Sequence, residues 1–212
     1  MNREYEYKVN IDGKDYSMDS LTSASFEQPL FDSFSVGNAC AAQLMLSYYD
    51  NNINPATMAQ IVAYCRKRGS TDAWSQLGVF FVDTRETSTD RLTTLTCYDS
   101  MLKADQKFLS EVVEDNWPQK QTKVVADICT HMGVELDART VINPNYNVDI
   151  PVDLNIRDIL CYIAAANGGN WIITAANKLL LVPLFSSMPA ETYLLTTEEG
   201  DRIVFGGVRI II

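Results

Sequence analysis

Few residues in this sequence are of the types that do chemistry. The 212-residue chain holds one histidine, His131, with Cys129 two positions before it. A nucleophile and its base must lie within hydrogen-bond reach. Two positions along a helix turn a side chain by about 200°, so Cys129 and His131 are expected to point to opposite sides. The spacing predicts a helix-end histidine near the negative end of the dipole, and no Cys–His dyad. Carboxylates fall into three groups: Asp83, Glu86 and Asp90; Glu111, Glu114 and Asp115; Glu198, Glu199 and Asp201. Acid–base work on a glycosidic bond needs two carboxylates converging across a cleft. Here the first and last groups fall at expected hairpin tips and the middle one closes a helix, so solvated turns are expected. None has the alternating ligands of a calcium loop. Gly168-Gly169 follows a helical pattern instead of opening one, the reverse of what a phosphate cradle requires, and reads as a helix stop.

The five cysteines, Cys40, Cys65, Cys97, Cys129 and Cys161, form no close pair. Zinc sites use close pairs, and disulfide scaffolds use dense cysteines in short chains. All five read as reduced, mostly buried small hydrophobes. Trp74, Trp117 and Trp171 are scattered and read as core anchors. No catalytic, cofactor or metal site is expected, and this favours a structural or interaction role.

The composition is ordinary for a globular chain, with 47% hydrophobic and 21% charged residues. It is long enough for one large or two small domains and too apolar for a disordered chain. With 27 acidic and 17 basic residues, the formal net charge is −10. Such a surface repels phosphates, which disfavours a nucleic-acid-gripping module. The densest basic cluster, Arg66-Lys67-Arg68, reads as a solvated turn. No apolar leader opens the chain and no apolar run reaches about 18 residues, so synthesis in the cytosol without a membrane span is expected.

The elements follow from periodicity. Tyr5, Tyr7, Val9 and Ile11 alternate with polar residues, Asp12-Gly13 marks a tight turn, and Tyr16 and Met18 resume the alternation. This is a β-hairpin. Residues 40–49, 59–66, 77–83 and 91–98 read as further strands, with 84–90 as a polar tip; the Ala, Leu and Met content of 40–49 also suits a helix. Strands so spaced, without long helices between them, point to an antiparallel barrel or sandwich. After Tyr98 the pattern changes. Asp99 caps one or two short helical turns within 99–112. Val124, Val125, Ile128 and Met132 share a face of a helix over 122–132 that Gly133 stops. Asn155 caps a helix over 156–166, with Asp158 in its first turn. Strands over 170–174 and 178–183 follow. Residues 192–212 read as another hairpin, turning near Glu199-Gly200-Asp201. Its abrupt apolar end predicts a truncated chain or a strand that pairs with another subunit. The fold class expected is α+β: an antiparallel β-barrel over 1–98, a small α/β domain over 99–184, and the start of a second barrel over 185–212.

The ordered segments also resemble a known family. They are residues 34–39 (FSVGNA) before the strand at 40–49, 77–83 (LGVFFVD), 92–102 (LTTLTCYDSML), 116–118 (NWP), 131–134 (HMGV), and 157–164 (RDILCYIA) leading to 169–171 (GNW). Taken in this order, they look like the tail hub proteins of bacteriophages and prophages, which form the baseplate or tail tip. The resemblance implies a barrel, an α/β insertion and a second barrel, trimerised into a pseudo-sixfold ring. That ring would join the tail tube and distal tail proteins to a tip or spike protein, in a virion tail assembled in the host cytoplasm. Together with the missing active-site pattern and the acidic charge, this leads to the expectation of no enzyme, no cofactor and no stable nucleic-acid binding. An acidic lumen would let DNA pass without holding it. Thr84, Arg85, Glu86, Glu198, Glu199 and Asp201 are the expected contacts with other subunits or distal tail proteins. The alternatives are a tail-associated peptidase or peptidoglycan hydrolase, a hub or spike of a related contractile injection system, and an oligonucleotide-binding barrel. The last would need a basic aromatic groove, and strand 59–68 offers only Tyr64 and three basic residues.

Overall fold

Alternation along the first half of the chain builds one sheet. The computed structural model describes residues 4–30, 35–49, 53–109, 117–184, 204–205 and 208–209. Seven strands pair antiparallel: β1 (Tyr5–Ile11), β2 (Lys14–Ser17), β3 (Ser23–Glu27), β4 (Gln43–Tyr48), β5 (Gln60–Lys67), β6 (Ser75–Thr87) and β7 (Thr93–Asp99). Their order is β2-β1-β5-β6-β7-β4-β3, curled into a half-barrel. The expected α+β class with a barrel-like first part is borne out. Val9, Ile11, Leu44, Leu46, Ile61, Phe80, Val82, Leu95 and Cys97 pack its concave face. The curl has a local cause: register shifts between Ala63 and Tyr64 and between Val82 and Thr84 each tighten the twist.

Residues 40–49 are a strand and not a helix, because Leu44, Leu46 and Tyr48 are buried while Met45 stays exposed. β3 has no counterpart in the sequence-based reading. Its SASFE run is exposed throughout and shows no apolar alternation. β6 is longer than expected and continues through Thr84, Arg85 and Glu86 to Thr87, opposite Thr93–Thr96 of β7. The polar tip is therefore shorter, turning at 88–92, where Arg91 adopts φ 64°.

A second core forms where the periodicity becomes helical. It gathers α1 (Gln121–Met132), α2 (Ile156–Ala166), β11 (Gly169–Ile173), β12 (Lys178–Pro183) and the 3-10 turn Ser100–Asp105. Val124, Val125, Ile128 and Met132 line the buried face of α1, as expected, and Gly133 ends it at φ 66°. On α2 the buried stripe is Ile156, Ile159, Leu160 and Ile163, and the Asn155 amide donates to Asp158 at its start. Asn167, not glycine, is the C-cap; Gly168 follows at φ 65° and Gly169 already belongs to β11. β12 pairs antiparallel with β11 and parallel with the short β9 (Glu135–Leu136). A two-stranded ribbon joins β8 (Gln119–Lys120) to β10 (Asn147–Val148). Near the C-terminus β13 (Val204–Phe205) pairs with β14 (Val208–Arg209). The expected turn at Glu199-Gly200-Asp201 lies outside the described residues, as do Glu111, Glu114 and Asp115.

Candidate functional site

The sequence singled out hairpin tips, lone titratable groups and a basic cluster. Thr84, Arg85 and Glu86 are exposed along the far half of β6, opposite Thr94–Thr96 of β7, whose Leu95 belongs to the core. At the end of this pair the Thr87 and Thr93 hydroxyl oxygens lie 3.1 Å apart. Glu198, Glu199 and Asp201 lie outside the described residues.

Cys129 and His131 diverge as the helical rotation requires. Cys129 is buried, which pushes its thiol up to about 11. His131 is exposed, its ring 5.6 Å from that of Phe108. Burial likewise pushes the Cys97 thiol up to about 12, with Asp83 adding to it. Among the described residues, no three His, Cys, Asp or Glu side chains are placed to share a metal ion. No described helix is long and apolar enough to cross a membrane.

Of the expected solvated turn Arg66-Lys67-Arg68, Arg68 lies in an exposed turn, whereas Arg66 and Lys67 end β5. On the convex face Arg66 pairs with Glu6 and stacks 4.4 Å from the Trp74 ring. Lys8 lies 5.2 Å from the Tyr64 ring and 5.1 Å from Trp74, and its amine bonds Asp15 at 2.6 Å. These cations already have partners within the chain. Trp74 is thus a surface clamp across β1 and β5 more than a core anchor.

Two arrangements that sequence reasoning missed are more informative. The first is the joint between the two cores. Residues 35–42 leave the sheet after β3, run beside β11 and return as β4. Gly37 donates to the Gly169 carbonyl at 3.0 Å, Trp171 to the Asn38 carbonyl at 2.8 Å, and Cys40 to the Trp171 carbonyl at 3.1 Å. The fully buried Asn170 accepts from the Asn38 amide at 2.9 Å and donates to the Ser35 carbonyl at 3.0 Å. Gly37 sits at φ 89°, and a Cβ there would meet Ala165 Cβ at 3.0 Å.

Two charged residues complete the joint. Asp99 is 3% exposed and accepts from the Ala42 amide at 2.8 Å and the Met101 amide at 2.9 Å. Burial raises its carboxyl to about 6, against the lowering by those two amides and by Arg157. Arg157 reaches from α2 to the carbonyls of Ala39 at 2.6 Å and Met101 at 2.9 Å, and forks onto Asp105. The segments FSVGNA, LTTLTCYDSML, RDILCYIA and GNW, far apart in sequence, therefore meet here. A planar donor fork and a carboxylate between two amides give fixed geometry, which suits positioning of two units.

The second arrangement is an open seam. β2 covers only Lys8–Ile11 of β1, so Tyr5–Tyr7 pair with β5 alone. Across from them β3 ends the sheet among the described residues. Between lies a cleft of about 660 Å³, lined among others by Tyr5, Tyr7, Phe26, Leu44, Ala63 and Leu77. Tyr5, Tyr7 and Phe26 are 49%, 38% and 37% exposed, a high exposure for aromatics flanking a core.

No protein-family model matches the chain, and no curated protein matches its sequence. Solved structures do. The 43 kDa tail protein of prophage MuSo2 from Shewanella oneidensis superposes with a TM-score of 0.57 at 15% identity, over 83% of this chain and 54% of that one. The tail protein from Neisseria meningitidis MC58 gives 0.57 at 7% identity, over 84% of this chain and 50% of that one. The chain thus spans about half the length of these structures, and what it shares with both is their fold.

Proposed function

We propose that this chain is a non-enzymatic structural part of a phage or prophage tail, the hub of a baseplate or tail tip that joins the tail tube to a tip or spike. The observation that carries this reading is the likeness in fold to two tail proteins, one of them from a prophage, across more than four-fifths of the chain. The rigid joint at Asp99, Arg157 and Asn170 supports it, because a hub must hold two units at a fixed angle under load. Its partners are further copies of itself in a trimer, distal tail or tail tube proteins, and a tip or spike protein. The net charge of −10 keeps DNA phosphates from binding as they pass. The test is to purify tail particles from cells encoding the protein and label them with antibody and gold. Label at the distal end of the tail is expected; particles free of the protein refute the reading. Turnover of purified cell walls by the isolated chain would instead favour the hydrolase alternative.

A further inference from the structure

We infer that the outer edge of β3 is a strand acceptor: an extended, neutral or basic segment of another protein adds there as the next strand and sets alternate apolar side chains into the cleft beside it.

The inference rests on the fold and stands apart from the tail reading. Sheet edges in folded proteins are guarded by charge, proline, bulges or short length, because unpaired backbone groups template further pairing. β2 is guarded in this way by Lys14 and Asp15. β3 is not guarded. Its five residues, Ser-Ala-Ser-Phe-Glu, contain no lysine, proline or bulge, and only Glu27 at its end is charged. Every one of them is exposed, although Ala24 and Phe26 stand opposite the buried Leu46 and Leu44. Those two side chains mark the apolar face of the edge, and Phe26 meets the buried Phe80 edge-on at 5.8 Å.

The shape of the cleft names the occupant. Its volume suits a few side chains, and its walls are mostly apolar, with Glu4, Lys8 and the hydroxyls of Thr22, Ser23 and Ser25 among them. Strand addition takes affinity from the main chain and selectivity from pockets for alternate side chains, and both are available at this seam. Charge selects the source. Glu4 lines the cleft and Glu27 ends β3, both exposed; the cation in the lining, Lys8, is paired with Asp15, and the whole chain carries −10. A second copy would bring the same carboxylates to the seam, whereas a neutral or basic strand would not be repelled.

The test uses the full chain and a fluorescein-labelled peptide of alternating valine and threonine with a lysine at each end. Fluorescence anisotropy reads binding, and hydrogen exchange reads protection of residues 23–27. Saturable binding with protection of the β3 amides is expected. N-methylation of every second peptide amide should weaken it at least tenfold, and so should Phe26→Lys. Because Phe26 touches Phe80, Ala24→Lys provides a second guard charge at an exposed position should Phe26→Lys lower the Tm. The inference is overturned by unprotected β3 amides at saturating peptide or by equal binding of the N-methylated peptide. Protection of β3 that rises with protein concentration alone would overturn it too, since a second copy would then be the occupant.

Discussion

The Asp99 carboxylate allows a quantitative test of the joint. It is buried, and its pKa stands at about 6, raised from 3.8. The sign follows from proton counting. Between pH 4 and 6 the native state holds a proton that the unfolded chain has lost, so stability is greatest below about 4 and falls as pH rises through 6. A shift of about two units corresponds to about 3 kcal/mol, at 1.36 kcal/mol per unit. Asp15, Glu135 and Asp153 are held low by lysines and act in the opposite sense. The informative quantity is therefore the difference between the natural chain and Asp99→Asn, which has no carboxyl to titrate. Urea unfolding of both from pH 4.5 to 7.5 should show the natural chain losing roughly 2 kcal/mol relative to the variant as pH rises. A difference that stays flat, or that grows with pH, refutes the claim that burial outweighs the two amides and Arg157. At neutral pH, Asp99→Ala should cost about 2–6 kcal/mol, since each orphaned buried amide costs about 1–3.

Three further outcomes are expected. Gly37→Ala should destabilise by about 1–2 kcal/mol from left-handed backbone alone, before the approach to Ala165 is counted; thermal unfolding checks it, and an unchanged Tm counts against the strap geometry. Trp171→Phe removes the 2.9 Å bond from its indole to the Leu160 carbonyl and should cost about 1–3 kcal/mol by chemical denaturation. Replacing Thr84, Arg85 and Glu86 together by alanine should leave Tm within a degree or two while weakening pull-down of neighbouring tail proteins; retained association removes this part of β6 from the proposed contacts.

Elements with a strong local signal were legible in the sequence. Tyr5 to Ile11 alternate and Asp12-Gly13 turns, so β1 and β2 could be drawn without coordinates. The stripes of α1 and α2 have helical period, and Asn155, Asp158 and Gly133 punctuate them. β3 was invisible because an edge strand needs no buried alternation; its pairing depends on β4, sixteen residues further on. The end of β6 was hidden for a related reason: Thr84–Thr87 are polar, and only Thr93–Thr96 opposite make them a strand. Asp99 was readable as a cap through its neighbour Met101. Its second bond, to Ala42, spans 57 positions and left no local trace. Arg157, Asn38 and Asn170 were legible only as pieces of family-like motifs, since what joins them is three-dimensional.

The strap has a mechanical consequence. Residues 35–42 cannot leave β11 without drawing on the start of β4, which lies between β3 and β7 inside the curled sheet. Tension applied to the helical half is therefore delivered as shear along a strand bonded on both sides, where many ladder bonds must break together. A chain threaded this way resists pulling more than one whose two halves meet through a single loop.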